Sequence, residues 1–304
     1  MKTFIKNTVI FFIFCFTVLL FIIVCTSKIV DNRTFENDET LSNLLVFEKG
    51  DTFDLAIMGI SHAREFSDYD NHSTVEKNLG KKMLNLGMGH GLCGMNEQVF
   101  FLKYAYLQDV HIDTLVFIIS PPLIYSDNLN HAAKTFKLEP FRPNFLYEYL
   151  KYDADNKAER IFVYLRSKLS PEWLTHYPKL RPKMERKLTH FDSTVVSRGF
   201  EAAFKNGIDD SIFNKNSRMV EQLIVLAKEH NTEVVLMITP ALFGKWWGHD
   251  NTISLCAQLK EKYGISYFDF AETIFNPELY HDHHHLNSEG LDLFTRTYMQ
   301  EVFK

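Results

Sequence analysis

Five short apolar runs, each stopped by glycine, proline or a polar turn, constrain this chain more than any other feature. They are Leu55-Ala56-Ile57-Met58-Gly59, the run from Met83 into Gly87-Met88-Gly89-His90-Gly91, Asp113 to Ile119 before Ser120-Pro121-Pro122, Glu233 to Thr239 before Pro240, and Ser266 to Phe270. Short runs that are apolar throughout suit strands buried on both faces, because a strand with one wet face would alternate. Amphipathic stretches separate them. One begins at Ala63, and others span Asn96–Leu107, Ser217–His230 and Ile253–Tyr263 (closed by Gly264), with a last one from Ser288 to Phe303. Strands alternating with helices predict an α/β fold, a parallel sheet with helices on both faces. Functional groups in such folds gather beyond the carboxyl ends of the strands.

The N-terminus stands apart. Thr8 to Cys25 carries no charge and is dominated by Phe, Ile, Val and Leu, which approaches the ~20 apolar residues needed to cross a bilayer core. Lys2 and Lys6 favour a cytoplasmic start, although Lys28 and Arg33 weaken the asymmetry. A cleaved signal peptide is the alternative, but Ile23-Val24-Cys25-Thr26-Ser27 offers no small-x-small site. Residues 1–28 therefore read as a cytoplasmic start and transmembrane anchor, 29–50 as a polar linker, and 51–304 as an extracytoplasmic domain with an insertion over about 126–210. The net charge of −5 gives no reason to expect nucleic acid. Cys93 and Cys256 lie outside the anchor and could pair in an oxidising compartment; no CxxC spacing suggests zinc or redox chemistry.

Near the C-terminus stands Tyr280-His281-Asp282-His283-His284-His285-Leu286-Asn287. An Asp three residues before a His can accept its Nδ1 proton, fix the tautomer and aim Nε2 at a hydroxyl. The candidate hydroxyl is Ser61, at the turn between the first strand and its helix; its bland reading is a helix cap. The glycine loop 87–91 is a weak signal alone, yet at the second strand-to-loop junction its amides could face an oxyanion. The insertion reads as largely helical, with Glu159–Leu169 as one helix and Ser170-Pro171-Glu172 as a capping signature. Its tract from Lys179 to Lys187 is basic, which usually means a solvated face and sometimes an anion or polysaccharide contact. Trp246 and Trp247 could wall the cleft or pack as lid and core.

Gly59-Ile60-Ser61-His62-Ala63, the Asn85–Gly91 loop and Asp282-x-x-His285-Leu286-Asn287 resemble the first, second and fifth blocks of the SGNH/GDSL hydrolases. The likeness covers about residues 50–304, and the layout is similar to membrane-anchored members associated with acyl transfer onto bacterial envelope polysaccharides. That resemblance implies a three-layer, flavodoxin-like sheet. It makes Ser61 the nucleophile, His285 the general base and then acid, and Asp282 the orienter. It puts Gly91, Gly89 and Ser120 in the oxyanion hole, with Gly91 the first choice, and leaves His62, Asn85 and Trp246 as candidates for orientation or substrate contact. It implies no cofactor or metal, a sugar or polysaccharide acceptor of an acyl (expectedly acetyl) group, and a membrane-bound O-acyltransferase as partner.

Two departures stand out. Ile60 replaces the Asp of many members. Ser120-Pro121-Pro122 replaces the Gly-x-Asn-Asp block whose Asn donates to the oxyanion, and proline has no N–H. Losing one such donor typically costs ~10²–10³ in rate, which fits slow transfer better than fast ester hydrolysis. Three other readings remain: a divalent metal held by His281, Asp282, His283, His284 and His285, a non-catalytic module that holds polymer for an acyltransferase, and a simple carboxylesterase.

Overall fold

The structure, a computed structural model, describes residues 1–89, 91–170, 175–205 and 207–303. Its centre is a five-stranded, wholly parallel sheet: β1 Thr52–Met58, β2 Met83–Asn85, β3 His111–Ile118, β4 Glu233–Ile238 and β5 Ser266–Asp269, in the order β2-β1-β3-β4-β5. Ile57 faces Val116 across one ladder and Val116 faces Val235 across the next. The runs are apolar throughout because both faces are covered. Ala56, Met58, Leu115, Phe117, Leu236 and Ile238 pack under helices Met95–Leu107, Asp210–Glu229 and His249–Tyr263. Leu55, Ile57, Val116, Ile118, Val235 and Met237 pack under helices His72–Leu79 and Ser288–Thr297. Burying one such side chain is worth ~1.5–3 kcal/mol, so these two faces dominate the stability of the fold.

The strand order is flavodoxin-like. After β1 the chain moves outward to β2, then crosses to β3 on the other side of β1. The crevice beyond the carboxyl ends at that reversal is where ligands bind in such sheets. Gly59 makes the turn out of β1 with φ +141°, and a Cβ there would lie 2.8 Å from the Ile118 carbonyl oxygen. Only glycine fits this close approach between two strand ends.

The insertion shares the sheet's core. Phe136, Phe145 and Tyr149 pack on Phe100 of helix Met95–Leu107 and Tyr164 packs on Phe136 and Phe145, with ring centroids as close as 4.6 Å, for Phe136 and Tyr149. Fully buried Arg160 pairs with fully buried Glu97 at 2.8 Å. Helices Pro143–Lys151, Lys157–Ser167 and Ser193–Ala203 match the helical expectation, but residues 178–188 hold no helix. Pro178 and Pro182 lack the N–H a helix needs, and neighbouring cations repel. This basic tract runs as a strap beside the Asp-His stretch: Leu188 N–H donates to Tyr280 O, Ser288 N–H to Met184 O and Met184 N–H to Ser288 Oγ. The signature at Ser170-Pro171-Glu172 falls largely outside the described residues.

The N-terminal helix, Lys2–Asp31, is long and apolar enough to cross a membrane, and its first five turns are exposed. At its end it meets the domain: the Ser27 hydroxyl accepts from Phe141 N–H and Asp31 pairs with Arg142. The following residues differ from the expected solvated linker. Asn37, Thr40, Ser42 and Asn43 are buried. Asn37 exchanges hydrogen bonds with the backbone of Asn85, Asn43 donates to Leu86 O, and Arg64 donates to the carbonyls of Asn37 and Thr40. The polar composition of this segment feeds a buried network. Its anchor is Glu139, whose carboxylate accepts from Ser42 Oγ, Asn43 N–H and Leu44 N–H. Glu139→Ala should leave three buried donors unpaired, at ~1–3 kcal/mol each. A thermal melt of the full chain should show a loss of more than ~3 kcal/mol, against within ~0.5 kcal/mol for an ordinary surface change.

Candidate active site

Asp282 builds the loop that carries it. Its Oδ1 accepts the backbone N–H of His284 at 2.9 Å and of His285 at 2.8 Å, an Asx-type turn. The turn is closed by an antiparallel bridge between Tyr280 and Leu286 and by His281 N–H donating to His285 O. Asn287 then caps helix Ser288–Thr297, its Oδ1 accepting from Gly290 N–H, while its amide donates to the Glu278 carbonyl. The Leu-Asn that follows the histidine is thus the buried bridge and the helix cap that fix His285 from behind.

The second carboxylate oxygen, Oδ2, accepts from His285 Nδ1 at 2.8 Å, and His285 Nε2 lies 2.8 Å from Ser61 Oγ. Ser61 opens the short helix Ser61–Arg64 that follows Gly59 and Ile60. The sequence separation of 224 residues between Ser61 and His285 is bridged because both β1 and the loop after β5 end on the same edge of the sheet. The three side chains line a cavity of about 340 Å³ together with Gly89, Gly91 and Tyr69.

Two backbone amides belong to residues that line this cavity beside each other. A Cβ on Gly89 would sit 3.8 Å from Ser61 Cα, so the glycine backbone passes directly beside the serine. Among the described residues neither Ser61 N–H nor Gly89 N–H has an acceptor, which leaves both available to an oxyanion. Gly91, at φ +65°, lines the cavity farther along, and His90 lies outside the described residues. Ser120 does not line the cavity: it precedes the buried turn Pro121–Ile124, and its hydroxyl is buried without a partner among the described residues. Asn85 is not positioned for substrate either. It is fully buried, donating to Ala63 O and accepting from Gly87 N–H, so it ties the glycine loop to the helix that carries Ser61.

Burial shapes the electrostatics. Burial works to raise the Asp282 carboxyl, but the hydrogen bond from His285 and the neighbouring His285 and His284 hold it well below the usual carboxylate range. Burial, then His285 and His284, push the His62 imidazole well down, and burial, then His285, pushes His284 down to about 3. Both are neutral at pH 7. The His62 ring lies 4.9 Å from that of His285, and Trp246 stands edge-on to His62 and His284 at 6.5 and 5.3 Å. Trp246 also packs on Phe200 and Phe204 of the insertion, so it walls the far side of the imidazoles. Cys93 and Cys256 are free and buried.

Sequence reasoning missed Glu65. It lies four residues after Ser61, its carboxyl accepts from the Leu286 backbone, and burial, then the charge of Asp282, raise it well above its ordinary value of 4.5. Nothing in the local sequence signals this, since the burial comes from the distant loop. Glu65 keeps its proton in the fold where the unfolded chain gives it up. Stability therefore falls as pH rises above about 4.5, at up to ~1.4 kcal/mol per pH unit for one group. Glu65→Gln lacks this titration. Its stability relative to the parent should climb between about pH 5 and pH 8, read as urea midpoints; a flat difference would show Glu65 ionised in the fold.

No family model and no curated protein matches this chain. Among solved structures, a crystal structure titled as that of a "putative acylhydrolase" from Bacteroides fragilis superposes with a TM-score of 0.42 and 13% identity, covering 82% of this chain and 86% of that one. A likeness this slight transfers neither fold nor activity.

Proposed function

We propose that the protein is an SGNH-type serine acyltransferase or esterase. In this reading it moves an acyl group, acetyl being the expected one, to or from a hydroxyl of a cell-envelope polysaccharide through an acyl-Ser61 intermediate. The observation that carries it is the unbroken relay of two 2.8 Å contacts from Asp282 through His285 to Ser61, inside a cavity. His285 Nε2 takes the Ser61 proton as Oγ attacks the acyl carbonyl, and the amides of Ser61 and Gly89 receive the oxyanion. His285 returns the proton to the departing alkoxide. In the second half it takes a proton from the acceptor hydroxyl or from water, which attacks the acyl-serine, and it returns that proton to Ser61 Oγ as the acyl–Oγ bond breaks. Asp282 holds the Nδ1 proton throughout. With two amide donors and none from Ser120, the site suits slow transfer.

The apolar N-terminal helix supports action at the membrane, with Lys2 and Lys6 favouring a cytoplasmic N-terminus and the domain on the outer side. A membrane-bound O-acyltransferase would then supply the acyl group. A groove of about 710 Å³ beside the strap, lined by Lys77, Lys183 and Lys187 together with Glu185, Glu289 and Asp292, shares no lining residue with the Ser61 cavity and in this reading holds the polymer away from its reacting hydroxyl.

A fluorophosphonate should label Ser61 in the full chain, found by mass spectrometry, and His285→Ala should abolish the adduct. Asp282→Asn should slow labelling by ~10³–10⁴, and Ser61→Ala with His285→Ala should cost acyl transfer little more than either alone. An unlabelled Ser61 in folded protein would sink the enzyme reading. Lys77→Glu with Lys183→Glu should raise KM for the polymer more than it lowers kcat; unchanged KM would remove the groove from the acceptor site.

A further inference from the structure

The site holds more imidazole than a serine relay uses. His62 follows Ser61 and His284 precedes His285, and one ring nitrogen from each of His62, His284 and His285 lies within 4.8 Å of the others. The ring centroids are 4.0 Å apart for His284 and His285 and 5.4 Å for His62 and His284. His62 is 3% exposed, and its Nδ1 has no hydrogen-bond partner among the described residues. A buried ring nitrogen without a partner is unfavourable unless a ligand completes it.

The fold selects these three from a larger set. His283 turns away, its Nε2 accepting from Asp192 N–H of the insertion while its carbonyl accepts from Leu242 N–H. A second grouping, His281 with Asp282 and His285, relies on a carboxylate whose two oxygens already accept three N–H groups. The His62 grouping instead draws in a residue far away in sequence and keeps an unused nitrogen.

We infer that His62, His284 and His285 form a binding site for zinc or a similar borderline divalent cation, and that its occupancy withdraws His285 from Ser61. The second half rests on Ser61 being the nucleophile. Three imidazoles with an open fourth position are a common zinc set, at Zn–N distances of ~2.0–2.1 Å. The ring nitrogens would need to draw together to roughly 3.4 Å for tetrahedral ligation, with the His62 and His284 rings moving toward His285, which Asp282 holds. The lone pair on His285 Nε2 is the one that would receive the Ser61 proton, so a bound cation leaves Ser61 an ordinary hydroxyl. Asp282, still accepting from Nδ1, becomes the outer carboxylate of a carboxylate–histidine–zinc arrangement.

The full chain in detergent tests this by equilibrium dialysis against zinc, beside fluorophosphonate labelling of Ser61 with and without the metal. One zinc per chain and labelling slowed at least ~10-fold are expected, with His62→Ala and His284→Ala each weakening zinc binding ~10–100-fold or more. Each variant's labelling is compared with its own metal-free rate, so altered basal reactivity does not enter. Cobalt(II) in the unsubstituted chain should give the visible absorption of tetrahedral nitrogen ligation, a readout that needs no variant to fold. Absent stoichiometric zinc, or zinc binding untouched by both substitutions, would overturn the site. Normal labelling that ignores bound zinc would overturn the switch. Zinc held by these histidines in a chain whose Ser61 never labels would keep the site and remove the serine enzyme.

Discussion

The geometry of the site depends on one carboxylate. Asp282 closes its own loop by accepting two backbone N–H groups on Oδ1 and aims the catalytic candidate by accepting His285 Nδ1 on Oδ2. Without it, His285 would sit on a loop with neither a fixed turn nor a fixed tautomer. The same hydrogen bonds outweigh burial and keep the Asp282 carboxyl ionised. Fold, orientation and electrostatics of the site thus rest on three N–H contacts to a single side chain.

Around that anion the protein arranges groups whose surroundings disfavour their charged forms. Glu65 is buried against the same loop and keeps its proton, because a second carboxylate beside Asp282 could ionise only against both burial and repulsion. His62 and His284 are neutral for the mirrored reason: burial disfavours their cations and the neighbouring imidazoles add repulsion. Two carboxyls whose environments push them in opposite directions usually mark divided roles in an active site. Here the ionised one can stabilise an imidazolium on His285, and the neutral one packs without competing for its proton.

What could be read from the sequence follows physical rules that act locally. The five strands were legible because burial on both faces forces apolar runs, and all five lie within a few residues of the expected positions. The spacing of Asp282 and His285 was legible because three residues is one turn of chain, short enough for a carboxylate to reach back. What was hidden is long-range. Asn85 stood as a candidate for orientation or for substrate contact, and only the long-range bonds to Ala63 and Gly87 tell the two apart. Residues 37–43 looked like a solvated linker, because polarity used to satisfy a buried network cannot be told from polarity facing water. Ser120 sits where the resemblance put an oxyanion donor, but the turn into Pro121 and Pro122 buries it away from the cavity.

That misread segment has a consequence for the site. From the membrane-length helix the chain passes at once into Asn37, which grips the backbone of Asn85, and into Asn43, which holds Leu86 O. Asn85 in turn holds Gly87 N–H, two residues before Gly89 beside Ser61. Arg64, three residues after Ser61, donates to the carbonyls of Asn37 and Thr40 from the other direction. The helix that carries Ser61 and the glycine loop are therefore both pinned to the few residues that leave the apolar helix. A packed, hydrogen-bonded segment passes displacements on instead of absorbing them, as a flexible linker would. The cavity accordingly keeps a fixed attitude to the end of that helix, and a partner that moved the helix end would move the walls around Ser61 with it.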